Sequence, residues 1–204
     1  DGIKRDRLVW VGDMHPETLT IRTVFGADAS VARSLEFIRK ETPLPGWMNG
    51  MASYTMWYAI IVHDWFMYTG DLEWLRSQEE YLEGISRQLS ECIDEKGKDT
   101  VTEGRFLDWP SSDRPDVVDA GVQAIHLLAA DSLRKLFMAL GKQGPAEECA
   151  RDMERLACFP ADADGSKQAA ALLVLAGLRD AEEMNGSVLA EGGAEGMSTF
   201  MGYY

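Results

Sequence analysis

The sequence predicts an all-α protein, a partial toroid built of helix hairpins, on three observations. Clean alternation of apolar and polar residues is never sustained for long, so strand signals are scarce. The helical segments are joined by short and long connections in turn, the pattern of helix hairpins packed side by side. One segment, from Ser53 or Tyr54 to Thr69, is apolar on nearly all sides. Such a helix needs neighbours on both faces, as an inner-ring helix has.

Taken in order, residues 1–17 read as a functional loop, with His15-Pro16-Glu17 opening a helix that Thr18 to Phe25 continues. Asp28 or Ser30 caps the next helix, which runs to about Lys40 with Val31, Leu35 and Ile38 on one face. Pro43-Leu44-Pro45-Gly46 breaks it. The apolar helix ends at Gly70, and Asp71 caps Leu72 to Asp94, with Leu75, Tyr81, Leu82, Ile85 and Leu89 on one stripe. Residues 95–115 form a long loop rich in Gly, Asp and Pro. Val117 or Asp119 opens a helix to Leu140, Pro145 opens another to about Cys158, and Ser166 caps Lys167 to Leu178. Gly186 to Gly196 is a Gly-rich loop, and Ser198 starts a final element. The long loops recur about every second helix. Gathered at one end of a ring, they would make a cleft.

The chain has 204 residues, enough for one sizeable core, and is read as part of a single domain spanning 1–204. Its net charge of −14 argues against nucleic acid, because a surface that tracks phosphates needs surplus Lys and Arg. No apolar run reaches the ~18 residues that suggest a membrane span. Cys92, Cys149 and Cys158 are odd in number and lack paired metal spacing, so buried thiols are expected. No metal site or nucleotide-binding loop is evident, and no cofactor is expected. The chain starts without Met and ends on an apolar, aromatic stretch, which reads as an excerpt of a larger protein.

The densest chemistry lies in residues 1–13, where Asp1, Asp6 and Asp13 stand among Lys4, Arg5, Arg7 and Trp10. Carboxylates accept hydrogen bonds from sugar hydroxyls, cations fix the carboxylates, and an indole covers the apolar side of a sugar ring. Two plainer readings stand beside this one: an ion-pair knot in which Arg5 and Arg7 neutralise their neighbours, and Trp10 as a core residue. Asp108-Trp109-Pro110 offers a second carboxylate–indole pair in the long loop, or else a loop anchor with Trp109 buried and Asp108 capping a turn. His63 and His126 sit in apolar helices as satisfied core groups, whereas His15 is loop-borne, without an evident partner, and a candidate substrate contact. Glu17 is a candidate acid or polar contact. Cleavage of a glycosidic bond needs one protonated carboxyl and a second carboxylate, ~6.5–9.5 Å apart in an inverting enzyme.

Asp1, Arg5, Asp6, Trp10, Gly12 and Asp13 match the signature loop of the bacterial alpha-L-rhamnosidases, an (alpha/alpha)6-barrel glycoside hydrolase family. The usual form runs Asp, two or three variable residues, Arg-Asp-Glu, then Gly-Trp-x-Gly-Asp. Trp57 to Leu72, Phe106 to Pro110, Lys167 to Leu178 and Ser198 to Tyr204 also resemble that barrel, so the likeness covers nearly the whole chain. It implies an inverting hydrolase of terminal alpha-L-rhamnose or a similar sugar, secreted or periplasmic. Asp1, Arg5, Asp6 and Asp13 would line the sugar pocket, with Trp10 as part of its wall and Trp109 on the cleft. The carbohydrate and the remainder of a parent chain would be its partners. Two departures alter the expected chemistry. The family's Glu general acid falls at Arg7, which cannot donate a proton at neutral pH, and Val9 replaces the Gly before Trp10. Asp6 or Glu17 is then the substitute acid, or the chain is a catalytically inactive sugar-binding relative. The family's general base lies beyond residue 204, so this stretch alone is expected to be inactive.

Overall fold

The computed structural model describes residues 8–204, and among them the chain is all-helical. Eight α-helices follow one another among the described residues: α1 (Val11–Phe25), α2 (Ala29–Glu41), α3 (Ala52–Thr69), α4 (Leu72–Ser90), α5 (Pro115–Leu140), α6 (Gln143–Ala157), α7 (Lys167–Leu175) and α8 (Ala181–Met184). Short 3-10 turns at Met48–Gly50, Trp109–Ser111 and Met201–Tyr203 punctuate the connections. None of the described helices is long and apolar enough to cross a membrane.

Local signals act where the sequence puts them. Asp28 accepts a hydrogen bond from the Ser30 amide, Asp71 from Trp74 and Ser166 from Ala169, each satisfying an orphan donor at a helix start. Gly70 and Gly141 adopt the left-handed conformation that closes α3 and α5. The two short links they begin make the hairpins α3–α4 and α5–α6. Helix α5 is the centre of the packing, resting on α6, α3, α7 and α4, while α1 lies on α3. Val31, Leu35 and Ile38 carry α2 into the same core.

Helices α3, α5 and α6 begin one to four residues before the expected starts, and four larger differences have identifiable causes. Helix α1 begins at Val11 rather than near His15, because Asn49 supplies its cap from a distance: the Asn49 side chain accepts from Val11 N at 3.1 Å and donates to Val9 O at 3.0 Å. Pro16 is therefore inside the helix. Helix α4 stops at Ser90 because Asp94 turns its carboxylate onto the amides of Lys96 and Lys98, favouring a tight turn over helix. Helix α7 stops at Leu175, where Gly177 takes a positive φ of 71° and Leu178 N bonds back to Leu173 O. Part of the expected Gly-rich loop is a π turn, Asn185–Leu189. Helix α3 is buried from Ala52 to Val62, but Met67 and Tyr68 at its far end are exposed. Its all-round apolarity thus overstates the burial of the last turn.

Candidate functional site

The start of α3 gathers two distant segments into one site. Asn49, in the turn before α3, holds the start of α1. Ala52 N donates to Gly104 O at 3.1 Å, and Ser53 Oγ donates to Phe106 O at 2.6 Å. Segments 8–17 and 104–111 therefore meet over the first turns of α3. Two glycines permit the close approach. A Cβ on Gly12 would stand 2.2 Å from the Tyr54 ring, and one on Gly104, where φ is +60°, would stand 2.2 Å from Gly50 O.

Between these segments lies a cavity of about 340 Å³. Trp10, Tyr54, Trp57, Phe106, Trp109 and Phe200 give it aromatic walls, and Asp13, Asp108 and Ser198 supply polar groups. Burial and then the Asp13 charge push the Tyr54 hydroxyl up to about 12, so it remains a neutral donor at physiological pH. Trp109 is 78% exposed, its ring edge-on to Phe106 with centroids 5.2 Å apart. It presents a free indole face at the rim.

A second cavity of about 640 Å³ adjoins the first and shares Asp13 and Phe200 with it. Pro16, Glu17, Thr20, Ile21, Thr199 and Tyr203 complete its wall. Asp13 and Glu17 are four residues apart on α1 and so lie on one helix face. Burial raises the Asp13 pKa. It raises that of Glu17 as well, and the Asp13 charge beside it adds to the effect. A carboxyl that keeps its proton longer is what a general acid requires.

Beside the cavity residue Trp57 runs a polar chain. His15, 8% exposed, bonds through Nε2 to Asp64 Oδ2 at 3.0 Å and through Nδ1 to the Tyr204 hydroxyl at 2.8 Å. His63 Nδ1 meets the other Asp64 oxygen at 2.8 Å. Burial alone would raise the Asp64 pKa, but hydrogen bonds from the two imidazoles outweigh it and hold the group well below the usual carboxylate range. An ionised Asp64 only accepts, so His15 Nε2 carries the proton of that bond, and Nδ1 is left to the Tyr204 hydroxyl. The His15 ring also stacks on Trp57 and Tyr204, with centroids 5.3 and 5.8 Å away.

Of the residues singled out from the sequence, Trp10, Asp13, Asp108 and Trp109 line one cavity, and Asp13 and Glu17 line the adjoining one. Asp1, Arg5, Asp6 and Arg7 lie outside the described residues. Trp10 is half-buried and contributes both to the core and to the wall. Asp108 does cap a turn, accepting from Ser111 N, and its second oxygen accepts from Gln168 and Ser198. It is 4% exposed, so its place on the wall comes with little lone-pair capacity to spare. His15 is on a helix, not a loop, and its partners are Asp64 and Tyr204. His126 is a satisfied core group: its Nδ1 donates to Asp99 at 2.6 Å. The reading from sequence did not single out Tyr54, Phe200 or Asn49. Tyr54 and Trp57 stand three apart at the start of α3, a spacing that puts both on one face. No family model matches the chain, and no curated protein matches it.

Proposed function

We propose that the aromatic cavity binds a neutral sugar, and that the protein containing it is a glycoside hydrolase acting on terminal alpha-L-rhamnose or a similar sugar. The observation that carries this reading is the cavity lined by Trp10, Trp57 and Trp109 together with Asp13. Indole faces cover the apolar side of a pyranose, while a carboxylate accepts from its hydroxyls. The volume of about 340 Å³ suits one sugar ring.

Glu17 is the proposed general acid, since burial and the neighbouring Asp13 favour its protonated form. It would protonate the leaving oxygen while a carboxylate across the ring activates water. In the same reading the hairpins α3–α4 and α5–α6 form an arc of an (alpha/alpha)6 toroid. The remainder of that ring would cover apolar side chains such as Phe25 and Met67, which are 74% and 66% exposed. A second reading, a catalytically inactive sugar-binding relative, is favoured by Arg7, which stands where the resembled family keeps its acid.

Two measurements separate these readings. Calorimetric titration with L-rhamnose tests binding, and release of 4-nitrophenol from its alpha-L-rhamnoside tests cleavage. Binding with turnover supports the hydrolase, and binding without turnover by the complete protein supports the inactive relative. Absence of binding overturns both.

A further inference from the structure

We propose that residues 196–204 form a strap clamped at both ends, and that His15 is a positioning residue for the cavity although it lines neither hollow. The strap supplies Ser198 and Phe200 to the first cavity and Thr199, Phe200 and Tyr203 to the second. It is thus a wall common to both, with the Phe200 ring at their junction.

The first clamp is built on Asp108. Its Oδ2 accepts from Ser198 Oγ at 3.1 Å and from Gln168 Nε2 at 2.9 Å, and the same Gln168 amide donates to Gly196 O at 2.7 Å. Gln168 and Asp108 are both buried, so these bonds face little competition from water. The second clamp is the hydroxyl of Tyr204 on His15, backed by Asp64. The Tyr204 ring stacks on Trp57 at 5.3 Å, and Phe200 packs edge-on against both Trp57 and Tyr204. Between the clamps only Met201 is buried in the core. Phe200 also packs against the core, but Thr199 and Tyr203 are held mainly from the two ends, and Gly202 between the clamps adds backbone freedom.

The consequence is that a polar chain lining neither cavity sets the distance between Phe200 and Asp13. Loosening Tyr204 from His15 frees Phe200 to change its separation from Asp13, changing both cavities at once. The ligand part of this proposal rests on the sugar reading above, but the strap itself does not.

The test is Tyr204→Phe, which removes one hydroxyl and keeps the ring stack, with Asp64→Asn as a second variant that keeps side-chain size. Amide hydrogen exchange of residues 198–203 should rise about tenfold in both, with α5 unchanged. Affinity for L-rhamnose should fall about fivefold, the effect of one hydrogen bond. The account is overturned if strap exchange is unchanged, or if it rises while rhamnose affinity stays the same. If the unaltered protein does not bind L-rhamnose, the sugar reading fails separately. The strap is then judged by the fluorine resonance of 5-fluorotryptophan at position 109, next to the Asp108 clamp. A shift of that resonance in Tyr204→Phe upholds the clamp, and an unmoved resonance refutes it.

Discussion

Replacing Asp99 with Ala should be among the most damaging single changes in the protein. The Asp99 side chain is fully buried, and three donors converge on it: the Arg105 guanidinium, His126 Nδ1 at 2.6 Å and Val101 N at 3.2 Å. Its own amide donates to Gln123 Oε1 at 2.7 Å, tying the 92–107 segment to α5. Truncation leaves the buried His126 N–H without its acceptor and takes one of two carboxylates from the mostly buried Arg105 guanidinium. Breaking a buried pair in this way costs ~3–5 kcal/mol. At ~2–4 °C per kcal/mol for a chain of this size, the melting temperature should fall by roughly 6–20 °C. Asp119→Ala is the control. Asp119 also pairs with Arg105, at 2.8 Å, and with Lys98, at 3.0 Å, but its side chain is one-third exposed. An exposed pair contributes ~0–1 kcal/mol, so this variant should melt within a few degrees of the parent. Burial raises the Asp99 pKa, but the bonds and charges of His126 and Arg105 more than offset it and leave the group below its ordinary value. A depressed carboxylate stabilises the fold above its unfolded pKa of ~3.9 and loses that contribution as pH falls through the folded value. The gap between parent and Asp99→Ala, followed by circular dichroism, should therefore be full at neutral pH and close in acid. A neutral-pH loss under ~1 kcal/mol would show that this network is no more than a surface pairing.

The other expectations concern the cavity. Asp13→Ala should lower kcat/KM on an aryl rhamnoside by ~100-fold, or ~2.7 kcal/mol, because an apolar side chain strands the sugar hydroxyls it faces. A folded variant with near-native turnover would return Asp13 to a surface role. Trp109→Ala should leave the melting temperature unchanged, since the ring is mostly exposed, yet weaken rhamnose binding about fivefold in calorimetry. Glu17→Gln should remove the alkaline limb of the pH–rate profile. A general acid acts while protonated, so activity falls as pH rises through its raised pKa, and a glutamine has no such titration. An unchanged alkaline limb in Glu17→Gln would transfer the acid role elsewhere.

Helix positions were legible because their signals are local. Asp28, Asp71 and Ser166 cap within three residues, and Gly70 and Gly141 end helices through their own backbone freedom. The start of α1 was not legible, since its cap comes from Asn49, 38 residues away. The same reasoning separates the site residues. Asp13 and Trp109 stand out through composition, an acid or an indole in a segment with little aliphatic filler. His15 was read as partnerless because its partners, Asp64 and Tyr204, are 49 and 189 positions distant. Asp108 was legible in type but not in role. Whether a carboxylate faces a ligand or spends its lone pairs on Ser111, Gln168 and Ser198 depends on tertiary contacts that no spacing encodes.

The central claim, that the aromatic cavity holds a sugar, is tested most directly by following the six indole N–H resonances while L-rhamnose is added. The resonances of Trp10, Trp57 and Trp109 should move together along one saturating curve, those of Trp47, Trp65 and Trp74 should stay in place, and Asp13→Ala should weaken the response. Indole resonances that do not move at high millimolar rhamnose, or that move equally in Asp13→Ala, would contradict it.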